Sequence, residues 1–318
     1  MTESVITSAV SEVVARVGPE PVAGRSPWRL GWDRLRHDRV AIGSAVVILL
    51  LVAVAIAAPL IANLVGYDYA DQDRVHGITR EGLPVAPNGN HPLGTDNLGR
   101  DLAVRIAYGA RVSLLVGVVS TALAVLLGII VGLLAGYYRG IVDTVLARFM
   151  DVVLSFPFLL FAISLVSIVG PSLTVSIFVI AFFSWAAVGR IVRGQTLSIR
   201  EKEYIEAARS LGAGDLRIMF IDVLPNLMAP VIVYFTLLIP TAIVFEATLS
   251  FLGLGVVPPT PTWGNMLSQS IAFYQVAWWY VVFPGAALLV TTLAFNLLGD
   301  GVRDALDPRT ERLFTARR

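Results

Sequence analysis

The sequence predicts an all-α integral membrane protein of six transmembrane helices, with both termini in the cytoplasm. The first reason is composition: of 318 residues, 15% are charged and 56% are hydrophobic, whereas a soluble domain carries about 25% charged residues. The second is distribution. Segments 40–67, 112–138, 152–189, 223–245 and 247–299 contain no Asp, Glu, Lys or Arg, and about 20 apolar residues cross ~30 Å of hydrocarbon as a helix. The third is the placement of basic residues, which falls mostly on one side of the membrane when the spans number six.

Residues 1–39 form a tail expected in the cytoplasm. Trp28 and Trp32 alternate there with Arg29, Arg34, Arg36 and Arg39, a pattern that suits an inner-leaflet anchor or a plain stop before the first span. The first span is 40–62, longer than a signal-peptide core. Residues 63–111 make the largest exposed segment, expected on the outer face. It is turn-rich from Gly82 to Pro92. From about Asn97 the spacing turns helical, with Leu98, Leu102 and Ile106 four apart and Asp101 placed to pair with Arg105. This predicts an amphipathic lead-in helix, either a structural element or a docking surface or gate; Asp96, Arg100 and Asp101 are its candidate residues.

Residues 112–299 hold the other five spans. The second is 112–136, where Gly128, Gly132 and Gly136 form a close-packing stripe. The block 152–189 divides at Gly170-Pro171 into two spans. In its first half Ser155-Phe156-Pro157-Phe158 offers a hinge, because proline removes a backbone hydrogen bond. After the loop 190–226 a fifth span runs from Val223 past Glu246. A Gly/Pro-rich stretch from Gly253 to Pro261 precedes the sixth, 276–299. Pro240 and Pro284 offer further bends. The tail 300–318 returns to the cytoplasm. In this arrangement only Arg74, Arg80, Arg100, Arg105 and Arg111 of the 24 basic residues lie outside. An odd number of spans would export the loop 190–226 and the C-terminal tail with their arginines.

Glu246 is the ionisable side chain deep in an apolar block. A charge at the bilayer centre costs about 2.5–3.5 kcal/mol on insertion scales. Glu246 is therefore a candidate either to contact a substrate ammonium group or to hold the outer loop through hydrogen bonds. Ser155, Phe156 and Pro157 join it as candidates for a substrate path or gate.

Residue inventory excludes several chemistries. Cysteine is absent, which removes disulfides, thiolate metal sites and a cysteine nucleophile. His37, His76 and His91 all lie outside the apolar blocks, so no histidine metal site is expected in the membrane. Lys202 is the only lysine, and the Gly-Lys-Ser/Thr of a phosphate-binding loop is missing; ATP, if used, is hydrolysed by another chain. A net charge of +1 does not suggest nucleic-acid binding.

The loop 190–226 carries the most information. The stretch from about Arg200 to Leu211 reads as a short helix, with Tyr204, Ala208 and Leu211 on one face, flanked by Ile205 and Ala207. Gly212 stops it, since positive φ is cheap for glycine. Asp215 is placed to cap a second short helix, and Pro225 stands where the next span begins. Such a helix on a glycine joint presents a compact knob to a soluble partner, or is an ordinary solvated loop helix.

Glu206-Ala207-Ala208, Gly212 and Leu224-Pro225 match, in spacing, the Glu-Ala-Ala loop that marks permease subunits of ABC importers, with Asp222 at that pattern's isoleucine position. His91-Pro-Leu-Gly-Thr-Asp96, Gly99-Arg-Asp101 and Tyr108-Gly-Ala-Arg-Val-Ser113 resemble the lead-in of dipeptide and oligopeptide permeases. Glu246 to Gly255, Pro258-Pro-Thr-Pro261 and Trp263-Gly-Asn-Met266 resemble the same subfamily's last outer loop. The resemblance runs from about Trp28 to Asp307 and is to the dipeptide permease C type. It implies the architecture of type I ABC importers and a bacterial plasma-membrane location. It also implies Glu206, Ala207, Ala208, Gly212, Leu224 and Pro225 as residues coupling to an ATPase. The implied partners are a second homologous permease subunit, two ABC ATPase subunits that use ATP and Mg, an extracytoplasmic substrate-binding protein and the lipid bilayer. This chain would bind no cofactor and catalyse nothing. The implied cargo is dipeptides or short oligopeptides, with nickel, glutathione or another small solute as alternatives. A secondary transporter is a more distant reading, since only one charge is buried and no repeat is evident.

Overall fold

The structure of the protein, a computed structural model, describes residues 27–307. The rest of the tail before Pro27, the Trp28 side chain and the tail after Asp307 lie outside the described residues. Among the described residues the regular elements are all helices, residues 66–101 being turns and irregular chain with two isolated bridges, Ile78 to Pro84 and Thr95 to Asp101, and no strand. Five helices are long and apolar enough to cross a membrane: α2 (Arg39–Ile56), α4 (Leu102–Tyr138), α7 (Leu173–Arg200), α9 (Asp215–Phe251) and α11 (Trp278–Leu306). A further pair, α5 (Gly140–Ser155) and α6 (Phe158–Val169), passes the same criterion together but bends by 84° at its junction.

The short helix α1 (Pro27–Leu35) packs on the far end of α11, where a Cβ on Gly31 would meet Leu306 at 3.0 Å. The Asp38 carboxylate accepts from the Val40 and Ala41 amides and so starts α2. The first span expected as one helix over 40–62 is broken at Ala57, and α3 (Ala58–Val65) follows with Pro59 in its first turn, where a missing N–H costs nothing.

The lead-in helix expected from Asn97 is not separate. Asp101 accepts from the Val104 amide and α4 starts at Leu102, so the helix that begins the second span runs unbroken for 37 residues, about 55 Å. Asn97 to Arg100 form a turn instead. The glycine stripe seats α4 against α7. A Cβ on Gly128 would lie 2.6 Å from Val188, one on Gly132 2.5 Å from the Gly189 carbonyl, and one on Gly136 2.6 Å from Thr196. The expected division of block 152–189 is present: Gly170 ends α6 at φ 92° and Ser172 caps α7.

Pro157 does more than hinge a straight span. Phe156 and Pro157 are both extended (ψ 131° and 121°), as expected for a proline and the residue before it, and the chain turns sharply. The helix before the turn starts at Gly140, well ahead of Val152, and carries Asp143, Arg148 and Asp151. The second helix of the loop is likewise not free. It is the start of α9, which continues through a π-helical turn over Ile218–Val223 into the apolar helix. The widened turn sits just before Pro225, whose ring would crowd the carbonyl four residues back. Gly214, not Asp215, is the N-cap of α9, and no side chain caps it.

The molecule has two polar ends. One holds the Arg190–Asn226 loop with the ends of α4 and α7 and the start of α5 and α9. The other holds residues 66–101 and α10 (Trp263–Ser270), capped by reciprocal Thr262 and Asn265 hydrogen bonds.

Candidate functional site

At the loop end, α8 (Glu203–Ser210) stands out from the bundle. A single side chain, Ile205, roots it, fully buried among Tyr137, Ile218, Met219, Val223 and Leu227. The helix is closed by a Schellman arrangement: the Gly212 amide donates to the Arg209 carbonyl (3.0 Å) and the Ala213 amide to the Ala208 carbonyl (3.1 Å). Gly212 adopts φ 83° with open space around it, so the constraint there is backbone conformation rather than room.

Glu206 and Ala207 are exposed and Ala208 is half-buried. Around them Tyr204 is 47%, Leu211 89%, Leu216 66% and Phe220 58% exposed. The result is a small protrusion of exposed apolar side chains with two carboxylates of α8, Glu203 and Glu206, beside the alanines. Exposed large apolar side chains concentrated in one short segment suit an interaction surface. Leu224 and Pro225 are half-buried and exposed at the π-to-α junction. The polar Asp222 leaves no gap beneath the knob, because Ile218, Met219 and Val223 fill it, each no more than 2% exposed.

Charged side chains lash the same end together. Arg193 grips Asp143 with both Nε and Nη2, the latter at 2.8 Å, and Arg190 Nη2 donates to Asp151 at 2.7 Å. Arg139 pairs with Glu201. The Arg193–Asp143 and Arg190–Asp151 pairs border a cleft of about 330 Å³ between α5 and α7. The sequence reading missed them, because it placed Asp143 and Asp151 in a loop. It also missed Tyr137, whose hydroxyl donates to Asp215 Oδ1 at 2.7 Å. The one available signal was its place at the end of a charge-free block, next to Arg139.

At the opposite end the candidate residues Asp96, Arg100 and Asp101 come together. Asp96 accepts from Arg100 Nε at 2.6 Å and lies 3.2 Å from Arg105 Nε. Asp101 does not pair with Arg105; it caps α4 and lies 2.9 Å from His91 Nδ1. Arg105 reaches instead to the carbonyls of Tyr69 (3.0 Å) and Pro259 (3.4 Å). Arg100 Nη2 donates to Gln269 on α10, and Trp279 Nε1 to the Thr95 carbonyl. Residues 66–101 are therefore a compact lid built onto α4, α10 and α11. Within it, burial disfavours the charged Asp73, yet the His76 amide, the Tyr67 hydroxyl and the Val75 amide hold its carboxyl well below the usual range.

Glu246 is fully buried. It accepts from Ser113 Oγ on α4 at 2.8 Å and from Ser250 Oγ at 2.7 Å, and Ser250 Oγ accepts in turn from the Val256 amide. The other path candidates are not gathered round it. Ser155 donates to the Val152 carbonyl, and Phe156 and Pro157 are exposed at the 84° break. The link between the two regions is aromatic: Phe158 stacks on Phe245 with centroids 4.3 Å apart.

Comparison with known proteins identifies a family. Residues 128–312 match the family described as binding-protein-dependent transport system inner membrane component, and residues 26–78 match the N-terminal transmembrane domain of oligopeptide transport permease C. A glutathione transport system permease protein of Pectobacterium atrosepticum is 42% identical over 90% of this chain and 92% of its own. A di/tripeptide transport system permease protein of Pseudomonas aeruginosa is 43% identical over 89% and 93%. A dipeptide transport system permease protein of Alkalihalophilus pseudofirmus is 42% identical over 89% and 90%. In three dimensions the chain resembles a chain of the methionine ABC transporter MetNI in an inward-facing conformation. That likeness has a TM-score of 0.54 and 19% identity, and covers 64% of this chain and 96% of the other.

Proposed function

Since this chain belongs to the family of binding-protein-dependent transport system inner membrane components, we propose that it is the permease subunit through which an ATP-driven importer passes dipeptides or short oligopeptides. The chain is a multi-pass inner-membrane protein and a transport subunit, which sets aside secondary transport. The observation that carries the proposal is α8: a short helix carrying Glu206-Ala207-Ala208, exposed on three sides and rooted by Ile205. It docks in a groove of a cytoplasmic ATPase subunit that hydrolyses ATP with Mg. Closure of two such subunits pulls the loop and switches this chain and a second homologous permease between inward- and outward-open states. The loop end is then cytoplasmic, the lid faces the substrate-binding protein, and six spans result when α5 and α6 together count as one. The concentration of arginines at the loop end supports this orientation.

Glutathione is the second reading, favoured by the 42% identity to a glutathione permease; it is itself a tripeptide with a free carboxylate. Uptake of labelled alanyl-alanine into proteoliposomes holding the whole transporter, with glutathione as competitor, separates the two. Peptide import predicts uptake that excess glutathione does not inhibit. In the same assay Glu206→Arg and Gly212→Val abolish uptake. If either variant keeps full uptake, the assignment of α8 is wrong.

A further inference from the structure

Four elements meet on one side chain at the loop end. Tyr137, the penultimate residue of α4, is 2% exposed. Its hydroxyl donates to Asp215, the first residue of α9, at 2.7 Å. Its carbonyl accepts from Arg200, the last residue of α7. The Arg200 guanidinium lies 5.6 Å from the centroid of its ring, and that of Arg209 on α8 lies 6.0 Å from it, both within cation–π range. The remaining surface of the ring packs in the cluster that holds Ile205.

A displacement of α8 reaches the spans along the chain, through Ile205 packed on Ile218, Met219 and Val223 at the start of α9, and through Tyr137. Along the chain it meets Gly212 and Gly214, where a Cβ would touch nothing within 4 Å, so no side chain braces the joint at either glycine. Across space it meets Tyr137, a buried aromatic with few rotatable bonds, fixed at the end of the helix that packs on α7 along the glycine stripe. Close packing passes displacement on. We propose that Tyr137 is the positioning residue that carries movement of α8 into α4 and α9, with Asp215 as its partner. The proposal rests on the reading of α8 as the helix that docks the ATPase.

The chain has no cysteine, so spin labels can be placed at will. Leu126→Cys on α4 and Leu160→Cys on α6 report the distance between those helices in the complete transporter, with and without ATP and vanadate. Ser210→Cys, cross-linked to the ATPase subunit, reports docking separately. We expect the unmodified chain to change distance on trapping. Tyr137→Phe, which keeps the ring and loses only the hydroxyl, should cut the shifted population roughly fivefold, the share one net hydrogen bond carries, while the cross-link persists. Asp215→Ala should do the same, and the pair should be no worse than either alone. A purely packing role for the ring predicts no effect of Tyr137→Phe. Full shifts in both single variants, or no shift in the unmodified chain, overturn the proposal. Loss of the cross-link in the unmodified complex overturns the reading of α8 itself.

Discussion

Glu246 shows how a single residue changes meaning between sequence and structure. In the sequence it is a lone charge within an apolar stretch and a candidate substrate contact. In the fold it joins three pieces of chain, accepting from Ser113 and Ser250, with Ser250 holding the Val256 amide. Glu246→Gln keeps one acceptor and should cost about 1 kcal/mol, while Glu246→Leu strands two buried hydroxyls and should cost about 1–3 kcal/mol. Thermal unfolding of the detergent-solubilised chain measures both. Uptake that survives Glu246→Gln excludes an essential charge and leaves the linking role; uptake lost without loss of stability points to the carboxylate itself. Gly212 makes the opposite case. Its role was legible from sequence alone, because a glycine after a short helix at a conversion point needs only local conformation, and φ 83° supplies that. The pairing of Asp101 was misread for a related reason. Spacing of four suggests an Arg105 partner inside a helix, but the carboxylate sits at the helix start, where backbone amides compete for it.

At the scale of elements, the α4–α7 contact is the firmest part of the fold. Gly132 faces backbone, not a movable side chain, so a Cβ 2.5 Å from the Gly189 carbonyl forces the helices apart. Gly132→Ala should destabilise by about 1–3 kcal/mol. Gly194, on α7, faces nothing within 4 Å, and Gly194→Ala should stabilise by up to ~1 kcal/mol through helix propensity. Differential scanning of the two variants measures the contrast; equal effects would mean that the stripe is not a packing seam. The stripe itself was legible in the sequence, since glycines four apart share one helix face. The start of α5 was not. Charge-free stretches locate the apolar part of a helix, and Asp143, Arg148 and Asp151 hide its polar beginning. The partners of Asp143 and Asp151, Arg193 and Arg190, stand on another helix, so no local spacing reveals those two pairs.

For the whole molecule, orientation is the test. With no native cysteine, Asn90→Cys in the lid and Arg148→Cys on α5 are clean labelling sites, both exposed. A membrane-impermeant maleimide should label Asn90→Cys on intact spheroplasts and Arg148→Cys only after lysis; the reverse pattern would invert the proposed topology. The sequence alone determined that the chain belongs in a membrane, roughly where it crosses and where a partner is expected to dock. Those properties depend on hydropathy, on charge sidedness and on a short motif, all of them local. Only the tertiary structure decided that the lead-in is a lid, that the chain bends by 84° between α5 and α6, that Glu246 is tied to Ser113, and that Tyr137 sits at a crossing of four helices. Each of these depends on side chains distant in sequence, such as Tyr137 and Asp215 or Arg100 and Gln269. Such contacts arise from the way long helices pack, and hydropathy records only which faces are apolar, not which faces meet.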